Sequence, residues 1–239
     1  MAATAPQLAP PGAGIPIAHR WYVRFVVIPK VLRKRDWEGR QRAFRREGEK
    51  VIELLRGESA QRLSQPALIA PMVGLEDSSR NWSVLMTAEH MVTVGDQTSE
   101  LIAGLAQGRT EFPPADPAKV KPVGSYTALD GPTRFQAFLD RFDERIVSVK
   151  NRGSRFRFRH PWFGKLTAVQ WHAVALLHQG LHRRQCEAIL AALPASNISS
   201  SSLRSSSRPR TSSGLAGSSS GLAGSSSGLR AGDRDRDSP

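Results

Sequence analysis

Between Thr133 and Val149 the residues Phe135, Phe138, Leu139, Phe142, Ile146 and Val149 recur at steps of three and four, with charged residues between them. That repeat matches the turn of an α-helix, and it puts six large apolar side chains on one face that must be buried against something. Three further segments carry a related signal. In 37–56, Phe44, Val51, Leu54 and Leu55 alternate with charges, and Gly57 stands where a helix-ending glycine belongs. The stretch NWSVLMTAEHMVTVGDQTSELIAGLAQ is expected to be helical from near Ser79 to Gly108, with Gly95 as a local weakness. A fourth helix should run from Thr167 to about Leu193 and stop at Pro194. Two T-x-x-Q capping boxes, Thr133 with Gln136 and Thr167 with Gln170, mark the starts of the last two helices. The Pro-rich connection EFPPADPAKVKP (111–122) ends the second, and is long enough to cross over the molecule. Four helices with apolar stripes bury them most economically against one another, so the expected fold is an all-α four-helix bundle.

The flanks read differently. Residues 1–20 are rich in Ala, Pro and Gly without a period and are expected to be a flexible leader, with the bundle over 21–193. From Pro194 onward 17 of 46 residues are Ser, and GLAGSSS stands twice in tandem at 214–220 and 221–227. A polar repeat of this kind has no face to bury, so 194–239 is read as a disordered, low-complexity tail. At the junction of leader and body, WYVRFVVIPKVLRKR (21–35) is apolar, then basic, and broken by Pro29; it is read as a short strand or a first turn of helix.

Composition removes several function classes. One cysteine can make neither an intramolecular disulfide nor a Cys-based zinc site. No run of roughly 18 apolar residues exists, so a membrane-spanning helix is not expected. The N-terminus has no basic segment followed by an apolar one, as a secretion signal would, and the expected location is the cytoplasm. The formal net charge of +13 favours acidic partners, and it is concentrated: 20–56 holds 12 Lys/Arg against 5 Asp/Glu, and 150–165 holds 6 basic residues and no acidic one. RFRFRHPWF (155–163) alternates Arg with Phe, a mixture that can track phosphates and stack bases, which makes a basic nucleic-acid-binding helical protein the alternative reading. The plainer account of that segment is a loop whose aromatic rings pack under the bundle while its arginines stay solvated. A peripheral membrane role for 21–35 meets the objection that Pro29 interrupts an amphipathic helix.

Chemistry points to the histidines. His178 and His182 are four apart on a strongly marked helix, so both rings project from one face, and two such side chains can hold one metal ion with a third ligand from another helix. A pair at that spacing arises often enough by chance that the third ligand matters. His90 lies beside Met86, Met91 and Val92, where an imidazole needs a buried hydrogen-bond partner or a metal. If the second and fourth helices are neighbours, His90, His178 and His182 converge. Three neutral imidazoles with an open position suit zinc first, with nickel, iron and manganese as rivals. Other residues take quieter readings: Glu89 as a solvated charge, His172 as facing away from the pair, His160 as fixing the approach to the fourth helix, Cys186 as an inert buried thiol, and Gln185 as an ordinary helix-surface amide, with the orienting of a ligand or substrate as its alternative.

Taken in order, Trp82-Ser83, His90, HPWFG (160–164), Leu166-Thr167, and His178, His182 and Gln185 as H-x-x-x-H-x-x-Q resemble the DinB-like superfamily of metal-binding four-helix proteins. The resemblance covers roughly 36–193. It implies a metal triad of His90, His178 and His182; Gln185 and His160 stand apart from that as candidates to support the site or a substrate. It also implies a metal-dependent transferase acting on a small-molecule substrate with a low-molecular-weight thiol as cosubstrate, or a metal-dependent hydrolase. Bundles with an exposed apolar helix face often pair, so the oligomeric state is left open with a homodimer as one option.

Overall fold

The computed structural model describes residues 7–194. The Ser-rich tail from 195 and the first six residues of the leader lie outside the described residues.

The body is a four-helix bundle built from α3 (Trp37–Gly57), α5 (Val84–Ala106), α6 (Gly131–Val147) and α7 (Ala168–Ala192). Three shorter helices precede or join them: α1 (Ile17–Tyr22), α2 (Ile28–Lys34) and α4 (Ala60–Ser64). α3 and α5 each pack against α6 and α7, so the ring order is α3–α7–α5–α6. The long connection after α5 therefore joins neighbours, and it is the α3–α5 and α6–α7 connections that span the diagonals. The stripe on α6 fills the centre, with Phe135, Phe138, Leu139, Phe142 and Ile146 fully buried. Phe142 stacks on Phe44 of α3 at 3.7 Å between ring centroids, and Phe138 meets Phe44 edge-on.

Helix starts show which local signals won. The box expected at Thr167 forms in full: Thr167 Oγ1 accepts from Gln170 N, and Gln170 Oε1 accepts from Thr167 N. The box expected at Thr133 and Gln136 does not form. α6 begins three residues earlier than that box would set it, with Pro132 in its first turn, where a missing N–H is harmless. A reciprocal pair upstream takes over: Asp130 Oδ1 accepts from Thr127 N at 2.8 Å, and Thr127 Oγ1 accepts from Asp130 N at 3.2 Å. α5 starts at Val84 rather than near Ser79, because the Ser83 hydroxyl accepts from Met86 N, while Asp77–Ser79 forms one tight turn.

Two segments depart further from expectation. RFRFRHPWFGKLT is a hairpin, β1 (Arg157–His160) paired antiparallel with β2 (Gly164–Thr167), with Phe158 opposite Leu166. Its alternation is that of a strand: Arg157 and Arg159 face solvent, while Phe158 meets Phe112 at 5.2 Å. Residues 9–15, expected as part of the flexible leader, lie along the body instead. Ala9 N and Gly14 N donate to the carboxylates of Asp77 and Glu76, and Ile15 is buried. Composition favours a solvated chain here, but two backbone N–H groups find acceptors in a distant turn.

Candidate metal centre

α5 and α7 are direct neighbours, and this contact brings one histidine from α5 to two from α7. One ring nitrogen of each of His90, His178 and His182 lies within 4.8 Å of the others, and His90 Nε2 and His178 Nε2 are 3.3 Å apart. His178 and His182 reach the same point because four residues advance a helix by little more than one turn, and their rings sit 4.3 Å apart. Trp82, one residue before the Ser83 cap of α5, packs its ring edge-on against His90.

Hydrogen bonds on the far side of the rings decide which nitrogens face inward. His90 Nδ1 lies 2.7 Å from Val120 O; a carbonyl only accepts, so Nδ1 carries the proton and Nε2 presents a lone pair. Gln185 Nε2 donates to Ser79 O at 2.7 Å, which turns Gln185 Oε1 toward His182 Nδ1 at 2.6 Å. His182 is thereby held as the same tautomer, with Nε2 free. Burial keeps the rings neutral. It pushes the His90 pKa down to about 4, with nearby Lys121 adding to the shift against the opposing pull of the Val120 carbonyl. His178 and His182 are also pushed well below the ordinary histidine range, by burial first and then by the neighbouring imidazoles.

Whether these residues suit a divalent ion can be tested on the donor set. Two imidazole nitrogens on a tetrahedral zinc at about 2.0–2.1 Å stand about 3.3 Å apart. His90 and His178 have that separation, and a ring nitrogen of His182 lies within 4.8 Å of both. Two of the three rings also carry the outer acceptor that orients metal-binding histidines.

The triad forms one wall of a cavity of about 540 Å³, lined also by Leu101, Phe112, Phe158, Trp162 and Leu181. Beside it the buried Glu76 accepts from Lys121 Nζ at 2.6 Å, and Lys121 also reaches Ser78 and Ser79. His160 lies on the same cavity wall without joining the triad. Its Nδ1 accepts from Trp162 N at 3.1 Å and its ring stacks on Phe163, so it holds the hairpin turn that leads into α7. His172 faces the opposite side of α7, buried against Trp37. Cys186 is fully buried, and burial pushes its pKa up to about 12.

One reading from sequence is overturned here. Glu89 is not solvated: it is buried, and its carboxylate accepts from Val123 N, Gly124 N, Ser125 N and Ser125 Oγ. It clamps the connection that supplies Val120 and Lys121 to the site. Its partners lie 34 to 36 residues further on, so helical periodicity alone could not place them. Glu76, Ser79 and Lys121 escaped notice for the same reason.

No protein-family model and no curated protein matches the chain. Among solved structures it is similar to TT2238, described as a four-helix bundle protein, at 24% identity and a TM-score of 0.43, across 64% of this chain and 98% of that one.

Proposed function

We propose that the chain is a DinB-like divalent-metal protein in which His90, His178 and His182 hold the ion, zinc before nickel, iron or manganese, and that it works as a metal-dependent transferase with a low-molecular-weight thiol. The observation that carries this reading is the convergence of three neutral imidazoles, two of them fixed by Val120 O and Gln185 Oε1 so that Nε2 faces the common point. A bound divalent ion supplies Lewis acidity, which lowers the pKa of a coordinated thiol or water toward neutrality.

The chain's own residues set the rest. Cys186 is fully buried and does not line the cavity, and burial pushes its thiol pKa up, so the thiol of this reading comes from outside the chain. Glu89 spends its acceptors on 123–125 and Glu76 is tied to Lys121, so neither carboxylate stands free as a proton acceptor at the triad. A thiolate needs no further base, whereas hydrolysis gains from one; this favours thiol transfer over the hydrolase. Phe112, Phe158, Trp162 and Leu181 offer an apolar wall to a small electrophilic substrate and keep water from the reacting atoms.

Elemental mass spectrometry on untagged protein tests the reading. About one divalent transition metal per chain is expected, absent from a His178→Ala/His182→Ala variant. A wild type that takes up no metal even after reloading ends this proposal. Thiol-transfer and esterase or amidase substrates, assayed on the loaded protein, then separate the two reaction classes.

A further inference from the structure

The segment 17–35 presents a surface that the metal centre does not use. Pro29 was expected to break any helix here, yet the chain is helical on both sides of it. Val23–Val27 forms a widened π turn in which Ile28 N donates to Val23 O, and α2 follows with Pro29 in its first turn. Proline lacks an N–H and crowds the carbonyl four residues back, and a widened turn relieves both constraints. α1, the π turn and α2 therefore run on as one helical segment.

Its inner side is docked. Ile28 is fully buried, Val31 and Leu32 pack against the core, and α2 contacts α7. Its outer side is apolar and exposed: Ile17, Trp21, Tyr22, Phe25 and Val26 are 68, 63, 53, 60 and 48% accessible. These are five of the eleven large apolar side chains exposed among the described residues, gathered into ten positions. Trp21 and Phe25 lie side by side at 5.0 Å, so they form a row rather than isolated rings. Clustered apolar exposure of this kind marks an interaction surface.

Charge identifies the occupant. Residues 17–35 contain Arg20, Arg24, Lys30, Arg33, Lys34 and Arg35 and no acidic residue. None of these six takes part in an ion pair among the described residues. A second copy of the same face would set these cations against each other. A nucleic acid would match the charge, but Ile17 and Val26 have no ring face on which a base could stack. Aromatic and aliphatic side chains flanked by unpaired cations fit the headgroup boundary of an anionic bilayer. We propose that Ile17, Trp21, Tyr22, Phe25 and Val26 insert into an anionic membrane surface, with Lys30, Arg33 and Lys34 against its headgroups, so that the protein docks peripherally through its N-terminal helices.

Co-sedimentation of the full chain with phosphatidylcholine vesicles, and with vesicles containing about one-third phosphatidylglycerol, tests this. Binding to the acidic vesicles should exceed binding to the neutral ones at least tenfold. It should fall at least tenfold in Trp21→Ser/Phe25→Ser and in Arg33→Glu/Lys34→Glu, and weaken as salt rises. All four positions are exposed, so circular dichroism should show unchanged folding. A His178→Ala/His182→Ala variant should sediment like the wild type, since the metal site is not involved. The proposal is overturned if the acidic vesicles bring down no protein or if Trp21→Ser/Phe25→Ser binds as well as wild type. It is equally overturned if the same substitutions dissociate a dimer, or release single-stranded DNA, while vesicle binding is absent.

Discussion

His182 Nδ1 donates to Gln185 Oε1 at 2.6 Å, and the other end of that amide donates to Ser79 O. One buried glutamine thus fixes both the tautomer of an imidazole on α7 and the position of the turn ahead of α5. A side chain that reads from sequence as a surface amide, or as one that orients a ligand or substrate, is buried and tied at both ends to protein.

Gln185→Ala should therefore weaken divalent-metal binding about 10- to 100-fold without removing it, the effect typical of losing the outer partner of a metal-binding histidine. Calorimetric titration of metal-free protein measures this. His182→Ala should lower affinity further, and an unchanged affinity in Gln185→Ala would remove the orienting role.

Glu89→Ala should loosen 119–128 more than it disturbs the bundle. Three backbone N–H groups and a hydroxyl lose their acceptor, at a cost of about 1–3 kcal/mol for groups left unsatisfied. Limited proteolysis should show new cleavage near Lys119 and Lys121, and Glu89→Gln, which keeps one acceptor, should be intermediate. Metal affinity should fall too, because Val120 O is held by the same connection.

Gly95→Ala should destabilise the protein even though alanine is the better helix former by about 1 kcal/mol. A Cβ there would lie 2.3 Å from Phe138 Cζ, and that ring is fixed in the core by Phe44 and Phe135. Overpacking at such a site costs about 1–3 kcal/mol, so the net loss should be measurable by urea unfolding. Gly48→Ala, which meets Leu139 Cδ2 at 2.5 Å, should behave alike, whereas Gly57→Ala meets nothing and should be neutral or stabilising.

Acid should destabilise the metal-free protein through its buried histidines. Burial pushes His172 down to about 3, and the cations of Arg40 and Arg152 add to that shift. The unfolded chain takes up this proton near pH 6.5, while the folded chain refuses it until about 3. The contribution to stability is complete above 6.5 and is lost as pH falls toward 3, at about 1.4 kcal/mol per pH unit for each such group. His160, also held at about 3 by burial, acts in the same window. His172→Phe should flatten the acid limb by about one proton in urea unfolding at pH 7.5, 5.5 and 4.5. At pH 7.5 it should cost little, because neither ring nitrogen of His172 has a hydrogen-bond partner among the described residues.

Local patterns were legible in the chain itself. The stripe from Phe135 to Ile146, the Thr167–Gln170 box and the spacing of His178 and His182 each depend on residues within a turn or two of one another, where helix geometry alone sets direction. The strand period of Arg157–His160 was equally local, but its alternation of Arg and Phe reads as a surface mixture until a partner strand is known. What sequence could not decide were relationships between distant segments. Which diagonal a connection spans, where Glu89 finds its acceptors' donors, and whether Gln185 faces solvent or Ser79 all follow from how the helices pack, and packing is set by contacts tens of residues apart. Pro29 shows the same division: its lost hydrogen bond is written in the chain, while the widened turn that absorbs it exists only because Ile28, Val31 and Leu32 have a bundle to dock against.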